Sequence, residues 1–227
     1  MVYAKKKDGD VRGDPELDRL GWLERHQIDV VRSLYTGVLP ADLLPNASTM
    51  EDLWNLHPPQ AEPSRVSTAT APCWQQAFGK PYGFSPALAV PQALEPLLAW
   101  VRERIDPRLN GLSVNWYDAA FGHYMVLHRD NTKNLVTGAP IVAVSLGAER
   151  VFRLRPWWPG DLVEFTATHG KLFVMPFETN RVWRHGVPHR STDTGRRISI
   201  TLRAFKPLDG NRDERTAAAY QTASATK

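Results

Sequence analysis

Two histidines and an aspartate in two short segments are the residues of this chain best suited to chemistry. His128 and Asp130 form an H-x-D motif near the middle, and His185 follows Asp130 by about fifty-five residues. Two imidazoles and one carboxylate can occupy three adjacent positions on a metal ion and leave the others open, as in non-haem Fe(II) oxygenases. Arg197 and Arg203, further along, could then hold a dicarboxylic acid beside the metal.

The spacing within the H-x-D motif suits a shared ion. Side chains two positions apart on a β-strand point to the same face, so His128 and Asp130 can reach one metal. The motif is short and recurs by chance, and a lone histidine on a strand is more often structural. From the residues alone the third ligand stays open between His185 and His189, with His169 as a weaker candidate.

The last predicted strand has two contrasting faces. Ile198, Ile200 and Leu202 form an apolar face suited to a core. The opposite face carries two arginines and two hydroxyls: Arg197, Ser199, Thr201 and Arg203. The arginines would lie about 20 Å apart on an extended strand, so their side chains must lean together to meet one small ligand. An exposed surface strand would show the same pattern.

An earlier predicted strand offers an amide and a phenol on one face. Asn115 and Tyr117 lie two positions apart, and both groups can hydrogen-bond a carboxylate. A buried tyrosine with one hydrogen bond and an asparagine in a turn would explain the same residues without a ligand.

The distribution of predicted elements favours a mainly β protein of the α+β kind. Helices are predicted at 48–56, from a capping box, and at 91–105, from an apolar face. From residue 20 onward we expect a short helix, then a strand near 30–34. Seven strands are predicted after residue 112, at 113–117, 124–130, 141–146, 151–154, 162–166, 171–175 and 197–205. Such spacing indicates an antiparallel sandwich or jelly roll with packing helices at its N-terminal side.

The remaining segments suggest the limits of the domain. We expect a flexible segment at 1–20, one domain at 21–206 and a disordered tail at 207–227. Residues 59–92 are predicted to be a long irregular stretch, and long loops are often functional. Its aromatic residues Trp74, Phe78, Tyr82 and Phe84 are candidates for a substrate lid, although plain packing onto the sheet explains them as well.

Composition narrows the class of protein. Hydrophobic residues make up 42% and charged residues 23%, ordinary values for a globular protein, and no apolar run is long enough for a bilayer. The single cysteine, Cys73, excludes an internal disulfide, and the N-terminus does not resemble a signal peptide, so we expect a cytoplasmic location. Between residues 140 and 205 the sequence has ten basic residues and five acidic residues. That excess is compatible with nucleic acid, although a solvated surface explains it too.

Taken in order, the motifs resemble the AlkB family of Fe(II)- and 2-oxoglutarate-dependent dioxygenases. The resemblance covers about 78–205 and rests on an ordered series of segments rather than on any single one. These are Asn115-Trp116-Tyr117, His128-Arg129-Asp130, the run at 140–147, Arg150-Val151-Phe152-Arg153, His185-Gly186-Val187-Pro188 and the strand at 197–203.

The resemblance implies a fold and a set of roles. The fold would be a double-stranded β-helix, a form of jelly roll. His128, Asp130 and His185 would bind Fe(II), and His185 is preferred to His189 because the family's ligand precedes Gly-Val-Pro. The groups that would bind 2-oxoglutarate are Asn115, Tyr117, Arg197, Ser199 and Arg203.

The implied activity is oxidative demethylation of N-alkylated nucleic-acid bases by hydroxylation of the alkyl carbon with molecular oxygen. Repair members of the family carry an acidic residue shortly after H-x-D, whereas this chain has Asn131 and Thr132, and Thr132 is a candidate substrate contact. Two alternatives stay open. One is a hydroxylase of a free nucleotide or another metabolite, and the other is a non-catalytic or zinc-hydrolytic protein, since zinc accepts similar ligands.

Overall fold

A computed structural model describes residues 13–58, 73–82 and 86–207 of the chain. Four α-helices are present in these ranges, and three short 3-10 helices accompany them. The α-helices are α1 (Pro15–Asp18), α2 (Ala47–Trp54), α3 (Glu95–Arg104) and α4 (Phe177–Val182), and the 3-10 helices are Ala41–Leu43, Gln92–Leu94 and Ala119–Phe121. Within the described ranges, no helix has the length and apolar character needed to span a membrane.

Twelve strands are the main regular elements of the described residues. The first four are β1 (Glu24–Gln27), β2 (Ser33–Val38), β3 (Trp74–Phe78) and β4 (Ala87–Leu88). The other eight are β5 (Gly111–Asp118), β6 (Met125–His128), β7 (Ile141–Gly147), β8 (Arg150–Pro156), β9 (Val163–Ala167), β10 (Lys171–Met175), β11 (Trp183–Val187) and β12 (Arg196–Arg203).

The strands form two sheets of unequal size. The larger has the order β1-β2-β10-β7-β12-β5-β3-β4, and the smaller has the order β6-β11-β8-β9. From β5 to β12 the chain crosses between the sheets at every step except the β8–β9 hairpin, which lies within the smaller sheet. All these strands pair in antiparallel fashion, which is the arrangement of a double-stranded β-helix. The mainly β jelly roll predicted from the sequence is therefore confirmed, with all seven predicted strands present.

Two apolar cores lie on opposite faces of the larger sheet. One is formed with the helices and includes Leu97, Val101, Val144 and Ile200, all buried. The other lies between the sheets and includes Phe152, Leu154 and Phe173. The predicted apolar face of the 91–105 helix accounts for much of the first core, because Leu94, Leu97 and Val101 are buried there.

The N-terminal part differs from the sequence-based expectation. The short helix expected after residue 20 is wrong, because β1 and β2 form an antiparallel hairpin there. The strand expected near 30–34 begins only at Ser33, and Val30 and Val31 are exposed in the turn. Within the predicted flexible segment 1–20, residues 15–18 form α1 with Leu17 buried, and residues 1–12 lie outside the described ranges.

Three further differences concern element boundaries. Helix α2 begins earlier than the predicted capping box, because the side chain of Asn46 accepts a hydrogen bond from the Thr49 N–H and caps the helix. The stretch 59–92, predicted to be irregular, contains β3 and β4, whereas 59–72 and 83–85 lie outside the described residues. Strand β11 was not predicted, and the predicted tail from residue 208 onward lies outside the described part.

Candidate metal centre

Three side chains from the smaller sheet and its adjoining loop meet at one point. His128 ends β6, Asp130 follows it by two residues, and His185 lies in the middle of β11. Their ligand atoms lie within 4.8 Å of one another. Oδ1 of Asp130 is 3.6 Å from Nε2 of His128 and 3.9 Å from Nε2 of His185. All three potential ligands therefore face a common space of a size that suits a metal ion.

A β-bulge aims His128 at this space. His128 pairs with His185, but Met125 pairs with Val187, so β6 has one more residue than β11 over the same length. Because of this extra residue, the side chains beyond the bulge point to the opposite face of the sheet. Gly186 lies opposite the bulge, where a Cβ atom would approach the Met125 carbonyl oxygen to 2.6 Å. Glycine is therefore required for the close approach of the two strands.

Asp130 has one paired and one unpaired oxygen. Its side chain is fully buried, and Nε of Arg203 donates a hydrogen bond of 2.8 Å to Oδ2. Oδ1 has no hydrogen-bond partner among the described residues. Burial alone would raise the pKa of Asp130, but Arg203 and the two histidines hold it well below its usual range. A buried, ionised and unpaired oxygen fits a metal ligand.

The two histidines differ in electrostatic environment. Nδ1 of His128 lies 2.9 Å from the Val126 carbonyl oxygen, so this nitrogen carries the proton and Nε2 is left free to bind a metal. Burial lowers the pKa of His128, but the neighbouring Asp130 outweighs it and the net pKa is raised. Burial, together with the charge of His128, lowers the pKa of His185 to about 3. His185 is therefore a neutral imidazole near neutral pH.

Asn180 holds the backbone of Asp130 and was not identified from the sequence. Its Oδ1 accepts a hydrogen bond from the Asp130 N–H at 2.9 Å, and its Nδ2 donates one to the Asp130 carbonyl at 3.1 Å. Asn180 is fully buried in α4. No local motif in the sequence points to this role, because Asn180 and Asp130 are 50 residues apart.

The polar face of β12 is buried rather than exposed. Arg197, Ser199, Thr201 and Arg203 are all buried, while the alternate residues of the strand pack into the core on the side of the helices. The surface-strand interpretation of this pattern is therefore wrong. Burying two arginines on one face is costly unless each has an anionic partner.

Among the described residues, Arg203 has an anionic partner and Arg197 has none. Arg203 pairs with Asp130 and also donates a hydrogen bond of 2.6 Å to Ser113 Oγ. Arg197 donates from Nε to Ser145 Oγ at 2.9 Å, and its NH1 is buried without a partner among the described residues. Burial lowers the pKa of Arg197. This guanidinium is therefore placed to bind an external anion such as a carboxylate.

The other predicted cofactor residues surround Arg197 on the same face. In the antiparallel register of β5 and β12, Tyr117 lies opposite Arg197 and Asn115 lies opposite Ser199. The Arg197 guanidinium carbon lies 5.0 Å from the centre of the Tyr117 ring. Burial raises the pKa of Tyr117, so its hydroxyl stays protonated and can donate a hydrogen bond. An amide, a phenol and a guanidinium thus lie at neighbouring positions on one face of the larger sheet.

The predicted lid residues separate into different places. Trp74 and Phe78 lie on β3 and face the helix-side core, where Phe78 is buried and Trp74 stacks on His57 at 4.2 Å. Tyr82 lies at the site, with its ring centre 3.9 Å from the Arg203 guanidinium carbon. Thr132 is half-buried in the turn after Asp130, and Phe84 lies outside the described residues.

The competing histidines lie elsewhere. Nδ1 of His169 accepts a hydrogen bond of 2.9 Å from the Gly147 N–H, a structural role in a turn. The His189 ring packs against Tyr124 at 6.2 Å. Among the described residues, the one cluster of metal-ligand type is His128, Asp130 and His185.

Comparison with known protein families agrees with this geometry. Residues 56–203 match the 2OG-Fe(II) oxygenase superfamily, and the match includes all three potential metal ligands together with Arg197 and Arg203. The chain belongs to this superfamily. The AlkB-like resemblance predicted from the sequence is confirmed, because the curated relatives of this 2OG-Fe(II) oxygenase are AlkB homologues.

Three relatives illustrate the extent of the similarity. DNA oxidative demethylase ALKBH2 of Mus musculus is 33% identical over 141 residues, covering 57% of this chain and 59% of the relative. The Homo sapiens ALKBH2 is 30% identical over 137 residues, covering 55% and 52%. Alpha-ketoglutarate-dependent dioxygenase alkB homolog 3 of Rattus norvegicus is 29% identical, covering 49% and 42%. The match therefore spans about half the length of these relatives.

Solved structures support the fold alone. The structure of OsALKBH1 has a TM-score of 0.53 at 14% identity and covers 79% of this chain and 99% of its own. A Pseudomonas putida prolyl-4-hydroxylase has a TM-score of 0.51 at 15% identity and covers 77% and 94%.

The cofactors of the superfamily fit the residues present. Fe(II) requires ligand atoms that the protein does not use internally, and Oδ1 of Asp130 faces the two histidine rings without a partner. 2-Oxoglutarate requires a buried cation for its distal carboxylate, and NH1 of Arg197 is buried and unpaired. The 2OG-Fe(II) oxygenase thus has an unpaired polar atom, among its described residues, at each of the two places where a cofactor group would bind.

Proposed function

We propose that this oxygenase is an AlkB-type demethylase that removes alkyl groups from nitrogen atoms of nucleic-acid bases, using Fe(II), 2-oxoglutarate and O₂. One observation carries the oxygenase part of the proposal. Oδ1 of Asp130 and NH1 of Arg197 are buried without hydrogen-bond partners in the part of the chain that the structure describes. Asp130 contacts His185 of the smaller sheet and Arg203 of β12, the strand that also carries Arg197. A metal and a dicarboxylate together would satisfy both groups.

His128, Asp130 and His185 would hold the iron, and Arg197 with Tyr117 and Asn115 would hold 2-oxoglutarate. When bound, the two cofactors supply the oxidation of an alkyl carbon by O₂, with 2-oxoglutarate converted to succinate and carbon dioxide. The protein keeps Asp130 ionised through Arg203 and keeps its backbone in place through Asn180. It keeps His185 neutral by burial, so that the ring nitrogen can bind metal without first losing a proton.

The substrate proposal has two supports. The relatives named DNA oxidative demethylase share about a third of the aligned residues with this chain. The segments that carry the metal ligands are also rich in arginine, because Arg129 lies between His128 and Asp130 and Arg184 precedes His185. Cations beside the reaction centre suit a polyanionic substrate.

A paired assay of formaldehyde and succinate tests this function. The substrates are N-methylated single-stranded DNA, the matching duplex, N-methylated RNA and the free methylated nucleosides. We expect formaldehyde and succinate in equal amounts from a methylated polymer, both dependent on 2-oxoglutarate. Turnover confined to free nucleosides would favour the metabolite hydroxylase, and succinate that forms without 2-oxoglutarate or O₂ dependence would refute the oxygenase.

A further inference from the structure

Two neighbouring tryptophans are exposed next to the metal centre. Trp157 and Trp158 follow β8, with relative exposures of 60% and 47%. The backbone N–H of Trp157 donates a hydrogen bond of 2.9 Å to the carbonyl oxygen of Val182, the last residue of α4, three residues before His185. This bond holds the loop beside the start of β11. Large exposed aromatic side chains that are held in a fixed place usually mark a binding surface.

Guanidinium groups flank the first of these rings. The guanidinium carbon of Arg129 lies 4.2 Å from the centre of the Trp157 ring, and that of Arg184 lies 5.3 Å away. Cation–π contacts of this kind hold the ring and both charges in place. The cation–π contacts by themselves would explain why the Trp157 ring lies at the surface. Trp158, by contrast, has no ring or cation partner among the described residues.

The outer face of the smaller sheet continues this surface with unpaired positive charge. Arg155 lies directly opposite Arg184 in the pairing of β8 and β11. Like charges in this position repel each other and destabilise the sheet. Arg153 pairs with Glu164, but within the described part of the chain Arg129, Arg155 and Arg184 have no carboxylate within 4.0 Å. Such an arrangement fits a surface that receives an external anion.

The outer face and the metal centre are linked by strand alternation. His185 and Leu154 face the space between the sheets, whereas Arg184 and Arg155, each the adjacent residue, face outward. A nucleic-acid strand on the outer surface would therefore be separated from the potential metal ligands only by the smaller sheet. A flexible polymer that turns around the loop of Trp157 and Trp158 could present one unit to the centre and rest the neighbouring units on this surface.

We propose that Trp157, Trp158, Arg129, Arg155 and Arg184 form a docking surface for the unpaired nucleic-acid strand that flanks the target base. The inference rests on the proposed function and extends it from one base to its neighbours. Exposed indole faces stack on any unpaired base, and guanidinium groups neutralise phosphates. A duplex offers no free base faces to stack on, so the surface favours a single strand.

Fluorescence anisotropy with the full chain and a short labelled oligonucleotide tests the surface. The probe is unmethylated, so binding is measured independently of demethylation. We expect Trp158→Ala to weaken single-strand binding about tenfold and to affect the matching duplex much less. We expect Arg155→Glu to weaken binding and to reduce the salt dependence of affinity, with a slope lower by about 0.7 for each lost phosphate contact.

Two control variants separate this surface from general effects. Leu162 lies just before β9, and its apolar side chain is 47% exposed. Leu162→Ala removes this side chain without removing a ring that could stack on a base. Arg104→Glu reverses an exposed charge at the end of α3. The proposal expects both to bind the oligonucleotide as the wild type does. Equal weakening by Arg104→Glu and Arg155→Glu would overturn it, because binding would then follow net charge alone.

The remaining outcomes are also decisive. If Trp158→Ala lowers the melting temperature and leaves oligonucleotide affinity unchanged, the surface is covered by another part of this chain and the proposal is wrong. Failure of the proposed function is distinguishable from failure of this surface. Absence of formaldehyde from every methylated substrate, with single-strand binding that still depends on Trp158, would refute demethylation and leave the surface in place.

Discussion

Arg203 and Asp130 form a buried ion pair in which one carboxylate oxygen is occupied and the other is left free. Nε of Arg203 lies 2.8 Å from Oδ2, and Oδ1 faces His128 and His185. The pair keeps the Asp130 carboxylate ionised, because a carboxylate buried this deeply would otherwise take up a proton. Arg203 would thus act on a bound metal through Asp130, in addition to any contact with 2-oxoglutarate.

Asp130→Asn tests the ion pair and the metal centre together. Loss of the charge leaves Arg203 buried without its partner, and breaking such a pair costs about 3–5 kcal/mol. We expect a lower melting temperature and loss of the stabilisation that Fe(II) or Mn(II) gives to the wild type, both measured by thermal unfolding with and without metal.

Asp106→Asn is the matched control for this variant. Asp106 is also buried and also paired with an arginine, Arg108, at 2.6 Å, but it lies after α3 and away from the metal ligands. We expect it to lower the melting temperature and to leave the metal-induced shift intact. A metal-induced shift that persists in Asp130→Asn would show that Asp130 is not a ligand.

Arg197→Met separates cofactor binding from stability. Arg197 is buried with one nitrogen unpaired, so replacing it with an apolar side chain of similar length removes an uncompensated charge. We expect an unchanged or higher melting temperature without ligands, and a KM for 2-oxoglutarate raised about ten- to hundredfold, because a charged hydrogen bond is lost. Succinate formation at varied 2-oxoglutarate measures the KM.

Arg150→Met gives the contrasting control. Arg150 is equally buried, but it donates hydrogen bonds to the carbonyl oxygens of Glu149, Thr194 and Gly195. Its removal leaves these acceptors unpaired, so we expect a clearly lower melting temperature. If Arg197→Met proves as destabilising as Arg150→Met, Arg197 has an internal partner and is not reserved for a ligand.

Asn180→Ala tests a residue that touches Asp130 only through its backbone. Two hydrogen bonds of 2.9 and 3.1 Å are lost, and the Asp130 ligand is no longer held in one position. Loss of such supporting contacts lowers metal affinity about 10- to 100-fold. Titration of the apoprotein with Mn(II), followed by calorimetry, measures this directly.

Thr179→Val is the neighbouring comparison for Asn180→Ala. Its hydroxyl donates a buried hydrogen bond of 2.9 Å to the Ser33 carbonyl oxygen, so its loss destabilises α4 without touching Asp130. We expect a lower melting temperature and unchanged Mn(II) affinity. Equal losses of affinity in both variants would mean that α4 as a whole, rather than the Asn180 amide, supports the ligand.

The thiol of Cys73 provides a pH-dependent test of burial beside Tyr117. Burial raises the pKa of Cys73 from an ordinary value of 9.0 to about 11. Since only the thiolate reacts, the reactive fraction at pH 8 falls from about a tenth to about a thousandth. We expect alkylation by iodoacetamide to be slow at pH 8 and to accelerate about tenfold per pH unit up to about pH 11. Alkylation at pH 8 as fast as in denaturant would contradict this.

Sequence periodicity predicted the parts of the site that lie on regular strands. The alternation of β12 separated Ile198 and Ile200 from Arg197 and Ser199, and the structure places these two groups on opposite faces. The two-residue spacing of His128 and Asp130 likewise predicted a shared face, and the two side chains do meet, although Asp130 lies just after the end of β6. Alternation is a local property of an extended chain, so it needs no knowledge of the fold.

Features that depend on tertiary contacts were not predictable in this way. Trp74 and Phe78 lie in a segment rich in irregular signals, yet β5 provides a neighbour that makes it a strand. Asn180 has no local motif, because its partner lies 50 residues away. The choice among His185, His189 and His169 also required pairing between β6 and β11, which the residues alone do not fix.

Between the same two paired positions, β6 has one residue more than β11. The number of residues in this stretch, rather than their type, therefore sets the direction of the His128 side chain, the first potential metal ligand. Between Met125 and His128 there are two residues, whereas one residue separates His185 and Val187 on the partner. Exchanging Val126 for another residue keeps this count. Deleting it would restore even pairing and rotate the His128 imidazole to the opposite side, so this short stretch tolerates substitution but not a change in length.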